Sequence, residues 1–250
     1  LWLPEGTAPA DGHPVILFIH GGAWLSDWSK DYAESFCEQL TARGFAVWDL
    51  EYRRLGNRDG GYPGTFIDVG LGADHLRQLA ERYPLDLDRV VAVGHSAGAH
   101  LALWLAGRHR IADGSVLHTA EPLPLAGVVS LAGVNSLEES LTEGGRTDIL
   151  RLVDAESAKA AGPRFEETDP GRLLPLGVPQ ALIVGSMDND WRIAMSRNYR
   201  DAAREAGDRV VLDIPEGANH FDVVDPEGPF PDRVTEAVRM MLQHAEINQK

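Results

Sequence analysis

Arg89-Val90-Val91-Ala92-Val93-Gly94-His95-Ser96-Ala97-Gly98-Ala99-His100-Leu101 is the stretch that decides how this chain folds. Its first half is valine-rich and shows no polar alternation, the pattern of a strand buried on both faces. Its second half opens an apolar helical run, Ala99–Arg108. At the junction a serine stands two residues from a glycine on either side, as Gly94-His95-Ser96-Ala97-Gly98. A strand-to-helix turn this sharp strains the serine backbone and leaves no room for side chains at the glycine positions. It holds the Ser96 hydroxyl clear at the carboxyl end of a strand, where open α/β sheets bind ligands. The helix N-terminus behind it adds free N–H groups and the positive end of a dipole. The pattern predicts Ser96 as a nucleophile.

Outward from this turn, apolar runs at Pro14–His20, Ala46–Tyr52, Arg89–His95, Gly127–Gly133, Gln180–Ser186 and Arg209–Pro215 alternate with helical stripes. Val69, Ala73, Leu76 and Ala80 form one stripe that ends near Pro84. Met195, Tyr199, Ala202, Ala203 and Ala206 form another, closed by Gly207, and Val234, Val238, Met241, Leu242 and Ala245 form the last. Strand–helix alternation implies right-handed βαβ units and a mostly parallel sheet flanked by helices, in a single domain over residues 1–250. One stretch breaks the rhythm: 135–177 is long and polar, with only a weak helical pattern around Ile149–Val153. It reads as a small cap inserted over the site, because loops of this length are functional or disordered.

Three more segments sit at strand ends with chemistry that fits a serine nucleophile. His20-Gly21-Gly22-Ala23-Trp24 follows the first strand. Its glycines let main-chain N–H groups approach a reacting carbonyl, and each well-aimed donor to an oxyanion is worth about 3–4 kcal/mol. The N–H groups of Gly22 and Ala23, with that of Ala97 after the nucleophile, are the candidate oxyanion hole. His20 is expected to orient this loop by hydrogen bonding. Of nine histidines, His220 in Gly217-Ala218-Asn219-His220-Phe221 lies directly after the last strand, which makes it the candidate general base. His95 is expected to point away from Ser96, and His100 to lie beneath it. Asp188 and Asp190, after the fifth strand, both qualify to orient the imidazole. Asp188 is preferred as nearer the strand end, which gives the chain order Ser, Asp, His. Trp24, Trp28 and Trp191 lie beside these loops, and Trp24 and Trp191 are taken as candidates to line an apolar or aromatic pocket.

The 250 residues suffice for one large α/β core. A net charge of −15 disfavours nucleic acid and anionic membranes as partners. No run of about 18 apolar residues marks a membrane span. The chain opens Leu1-Trp2-Leu3-Pro4, without a Met and without the basic and apolar regions of a signal peptide. Its one cysteine, Cys37, falls in the helical stripe Ala33, Phe36, Cys37, Leu40, so it reads as core. A lone thiol suits a reducing compartment, and a cytoplasmic location is expected. No cofactor is implied, and Asp188 with Asp190 lacks the further ligands that a metal would need. Nothing in the pattern fixes an oligomeric state.

These motifs resemble the α/β-hydrolase superfamily over nearly the whole chain. They are most similar to its bacterial esterase and arylformamidase-like branch, with H-G-G-x-W at His20–Trp24, G-H-S-A-G at Gly94–Gly98, G-x-x-D at Gly185–Asp188 and G-x-x-H-F at Gly217–Phe221. Glu51-Tyr52-Arg53-Arg54 resembles the Y-R of hormone-sensitive-lipase-like esterases. It continues Leu55-Gly56-Asn57 rather than L-A-P-E, so the chain departs from that family. The branch carries further N-terminal strands, for which only Leu1–Pro4 remains as a candidate. The resemblance implies hydrolysis of small acyl or aryl carboxylic esters, or alternatively of the formamide of N-formylkynurenine. Relatives on this scaffold that only bind ligands typically lose a triad member, and here all three are present.

Overall fold

Consecutive βαβ crossovers have one favoured hand, and they lay these strands side by side in parallel. The computed structural model describes residues 1–248. Its strands are β1 (His13–Ile19), β2 (Ala46–Leu50), β3 (Leu85–His95), β4 (Gly127–Leu131), β5 (Gln180–Ile183) and β6 (Val210–Asp213). They form one sheet in the order β2-β1-β3-β4-β5-β6, with every neighbouring pair parallel. The helices are α1 (Glu34–Ala42), α2 (Gly64–Asp74), α3 (Leu76–Ala80), α4 (Ala97–Gly107), α5 (Leu137–Thr142), α6 (Asp148–Leu152), α7 (Ala158–Thr168), α8 (Asp190–Glu205) and α9 (Phe230–Asn248).

Side chains alternate across the sheet and fill two cores. Val15, Leu17, Ile19 and Ala92 face one side with Phe66, Val69, Leu101 and Tyr199 from α2, α4 and α8. Ile16, Phe18, Val91 and Val93 face the other with Phe36, Cys37, Val234 and Val238 from α1 and α9. Burial on both faces explains why the strands read as continuous apolar runs. Cys37 is fully buried, and burial pushes its thiol well up, away from the thiolate.

Register decides where the loops meet. Ile19 pairs with Gly94, Gly94 with Ser130, Ser130 with Leu182, and Leu182 with Leu212. The strand ends are therefore level, and the segments after β1, β3, β5 and β6 emerge on one rim. The strand order reverses between β1 and β3, and a crevice at such a switch point is where this architecture binds ligands.

Three details differ from the sequence reading. The stripe from Val69 to Ala80 is split at His75 into α2 and α3. β3 begins at Leu85 rather than Arg89 and pairs with β1 across a shift in register between Pro14 and Val15. The segment 135–177 is built of α5, α6 and α7, each capped or packed, where a weak pattern was expected. Their 5–11 residues are too short, and Pro163 inside α7 too disruptive, for an amphipathic period to accumulate. At the other end of the chain, Trp2 and Val47 exchange backbone hydrogen bonds of 2.9 and 3.0 Å, antiparallel along β2. No helix among the described residues is long and apolar enough to cross a membrane.

Candidate active site

The turn from β3 into α4 places Ser96 at φ +55° and ψ −113°, a conformation that costs a non-glycine residue about 1–3 kcal/mol. The surroundings hold it there. Ser96 N–H donates to Leu131 O at 2.8 Å, and Ser96 O accepts from Val134 N–H at 3.2 Å. The flanking glycines are obligatory: a Cβ on Gly94 would lie 2.2 Å from Gly98 O, and one on Gly98 would lie 2.0 Å from Ile19 O.

His220 Nε2 stands 3.1 Å from Ser96 Oγ, and His220 Nδ1 stands 2.7 Å from Asp188 Oδ2. A carboxylate accepts, so Nδ1 carries the proton and Nε2 offers its lone pair to the serine hydroxyl. Of the two carboxylates left open by the sequence, Asp188 reaches the imidazole. Asp190 instead opens α8 at the surface. The acid and base loops are stitched together by Met187 N–H to Ala218 O at 2.8 Å, Gly217 N–H to Ser186 Oγ at 2.8 Å and Ser186 N–H to Pro215 O at 3.0 Å.

Asp188 is buried, and burial pushes its carboxyl up. The hydrogen bond to His220, the Arg192 guanidinium and the Asn189 N–H outweigh this and hold it below the usual aspartate range. Arg192 was not found from the sequence. It is itself buried and donates from Nε to Asp188 Oδ1 at 3.2 Å and from Nη1 to Ala132 O at 3.0 Å. Its only signal was a spacing of four residues from Asp188, which sets it in the first turn of α8.

In the loop after β1, Gly21 N–H donates to Tyr32 Oη at 2.7 Å. The N–H groups of Gly22, Ala23 and Ala97 have no protein acceptor among the described residues. His20 anchors the loop as expected. Its Nδ1 stands 2.7 Å from Gly21 O and its Nε2 2.7 Å from Glu51 Oε1, and the ring stacks on Tyr52 at 4.5 Å. Burial raises the Glu51 carboxyl, but the His20 hydrogen bond and charge overcome it and bring it to about 2. His100 lies beneath the serine on α4 and donates to Thr168 O at 2.8 Å. His95 faces Tyr32 and the His220 backbone rather than the serine hydroxyl.

The tryptophans fall differently from the expectation. Trp24 is fully buried in the core, edge-on to His100 at 5.3 Å, and has no face to offer a ligand. Ala23 and Trp24 are consecutive left-handed residues, at φ +54° and +57°, and this reversal swings the indole inward. Trp191 lines a surface cleft of about 880 Å³ with Ser136, Glu138, Glu139, Glu143 and Asp190, a wall that contains none of Ser96, Asp188 and His220. Phe221 lies edge-on to the His220 imidazole at 5.3 Å, and Trp28 stacks on Phe221 at 5.9 Å; both are exposed. Among the described residues no group of three His, Cys, Asp or Glu side chains is arranged to hold a metal ion.

The level parallel sheet, its two helical layers and the strained serine turn make this an α/β-hydrolase fold. The chain belongs to the BD-FAE family, whose model matches residues 1–159. It is 24% identical over 98% of its length to a probable isoprenylcysteine alpha-carbonyl methylesterase of Oryza sativa subsp. japonica, covering 60% of that protein. It is 26% identical over 88% of its length to esterase LipC of Mycobacterium tuberculosis, covering 55% of it. The chain thus spans no more than about three-fifths of the length of these curated relatives. Among solved structures, esterase B from Lactobacillus rhamnosis superposes with a TM-score of 0.79 at 20% identity, covering 98% of this chain and 80% of that one.

Proposed function

We propose that this protein is a carboxylesterase-type serine hydrolase acting on small acyl or aryl esters. The observation that carries the reading is the pairing of Ser96 Oγ with His220 Nε2 at 3.1 Å, with Asp188 at 2.7 Å behind the imidazole. The esterase names of the relatives support it.

In this reading Ser96 Oγ attacks the ester carbonyl carbon while His220 Nε2 takes the hydroxyl proton. The carbonyl oxygen becomes an oxyanion, held by the N–H groups of Gly22, Ala23 and Ala97. Asp188 fixes the tautomer and supports the imidazolium. His220 returns the proton to the leaving alkoxide, and an alcohol departs. Water then attacks the acyl group on Ser96 with the same base, releasing the acid and restoring the hydroxyl. The segment 135–177 serves as a small cap beside this rim. Trp28 and Phe221 give the substrate an apolar edge, a role that Trp24 is too buried to fill. The substrate is a small molecule, no cofactor takes part, and the reduced cytoplasm suits the lone thiol.

Turnover of p-nitrophenyl acetate, a feruloyl ester and N-formylkynurenine, measured side by side, tests the proposal. Ester turnover that is lost in Ser96→Ala supports it. A dominant formamide rate would make the protein an arylformamidase, and no turnover of any of them would refute it.

A further inference from the structure

The oxyanion loop and the base loop belong to opposite ends of the chain, yet one file of hydrogen bonds joins them. Gly21 N–H meets Tyr32 Oη at 2.7 Å, Tyr32 Oη meets His95 Nδ1 at 2.7 Å, and His95 Nε2 meets His220 O at 3.0 Å. The end members fix every direction. An amide N–H only donates and a carbonyl only accepts. The proton of His95 must therefore sit on Nε2, its Nδ1 lone pair must accept, and the Tyr32 hydroxyl must donate to it while accepting from Gly21. Only this arrangement satisfies all the groups.

We infer that Tyr32 and His95 are positioning residues that hold the oxyanion loop and the backbone of the general base at a fixed separation across the nucleophile. The inference rests on the catalytic reading proposed above. His95 lies next to Ser96 in the elbow, so the file crosses the site beside a backbone that Leu131 and Val134 already hold. Gly21 precedes the candidate oxyanion donors, and with its N–H held by Tyr32 its peptide cannot rotate freely. The His220 carbonyl is held likewise, so the imidazole is anchored at its main chain by His95 as well as at Nδ1 by Asp188. The rings pack closely: His95 lies 4.9 Å from His220 and 5.8 Å from Tyr32 between centroids.

A proton on His95 would break the file. It would leave the Tyr32 hydroxyl facing two donors, with its own hydrogen unplaced. Burial, then the neighbouring His220 charge, keeps His95 neutral and lowers it to about 3. Burial likewise raises the Tyr32 phenol above its ordinary value, so it stays a donor. The file is thus insensitive to pH over the range in which the base must work.

The test has two parts. The first does not depend on turnover: long-range imidazole ¹⁵N correlation spectra of the wild type. His95 is expected as a single Nε2–H tautomer that does not titrate between pH 5 and pH 8. A ring that titrates, or an Nδ1–H tautomer, overturns the inference whatever the enzyme does. The second is kinetic, with p-nitrophenyl acetate. Tyr32→Phe and His95→Leu are each expected to lower kcat by about 10- to 100-fold, below the 10²–10³ of a lost oxyanion donor because the donors remain and are only misplaced. KM is expected to change less than about threefold, as uniform binding is untouched. His95→Gln carries an amide N–H near the Nε2 position, and it is expected to recover most of the His95→Leu loss. Melting temperatures and circular dichroism of each variant separate misfolding from mispositioning. Should one variant fail to fold, the other and the wild-type spectra still decide. Wild-type turnover with unchanged kcat in a folded Tyr32→Phe defeats this inference alone, whereas absent wild-type turnover defeats the catalytic reading.

Discussion

Replacing Asp188 by asparagine alters the acceptor count at the centre of the site while hardly changing its shape. Asp188 now accepts on both oxygens, from His220 Nδ1–H at 2.7 Å on Oδ2, and from Asn189 N–H at 2.7 Å and Arg192 Nε–H at 3.2 Å on Oδ1. Asparagine has one acceptor and one donor group. Its oxygen is drawn to the side where two fixed donors converge, which turns the amide NH₂ toward His220. Nδ1 must then present a lone pair, the ring proton moves to Nε2, and the base has no lone pair left for Ser96. The same exchange in a Ser-His-Asp triad lowers kcat about 10⁴-fold by trapping the wrong tautomer. At about 1.4 kcal/mol per decade this is about 5.5 kcal/mol of transition-state stabilisation. Arg192 keeps its bonds to Ala132 O and Gly133 O, so the variant is expected to fold, which circular dichroism checks. The assay is kcat on p-nitrophenyl acetate beside Asp190→Asn, which touches only the surface and is expected within threefold of wild type. An Asp188→Asn enzyme that keeps more than a tenth of kcat, or an Asp190→Asn enzyme that loses more, would refute the reasoning.

Further outcomes follow from the same coordinates. Because Asp188 is held below the usual aspartate range, net of burial, by His220, Arg192 and Asn189, it stays ionised through mild acid. The acid limb of log kcat/KM is then expected to have unit slope from the imidazole alone, and a slope approaching two would contradict this. Asp49 is raised from 3.8 to about 6, chiefly by burial, with Lys30 opposing. A raised carboxyl contributes stability below its unfolded value and loses it as pH climbs through about 6. Asp49→Asn is therefore expected to be more stable than wild type at pH 8, by about 1–3 kcal/mol, with little difference at pH 4. Urea midpoints at the two pH values decide it, and a variant less stable at pH 8 counts against the account. Gly98→Ala places a Cβ 2.0 Å from Ile19 O, so it is expected to fail to fold or to lose more than about 4 kcal/mol, read from soluble yield and melting temperature; a stable, active Gly98→Ala would show the elbow to be looser than described.

How much of this was legible in the sequence depended on how local each signal was. The strands announced themselves because burial on both faces writes long apolar runs into β1 and β3. The elbow was legible because its steric demands fall on residues two apart, Gly94 and Gly98 around Ser96. His220 and Asp188 could be picked out because each follows a strand at the same end of the sheet. Trp24 misled because the sequence places it beside the oxyanion loop, whereas two left-handed residues turn it into the core. Tyr32 and His95 meet across 63 positions, and such a pair of polar rings leaves no period to read. The helices of 137–168 were hidden by their shortness.

Treatment with a fluorophosphonate followed by peptide mapping tests the central claim most directly. A single adduct on the peptide that carries Ser96 is expected, formed in proportion to the loss of esterase activity, absent in Ser96→Ala and strongly slowed in His220→Ala. An adduct on another serine, or full turnover with Ser96 blocked, would contradict the claim that the hydroxyl of Ser96, activated by His220, attacks the substrate.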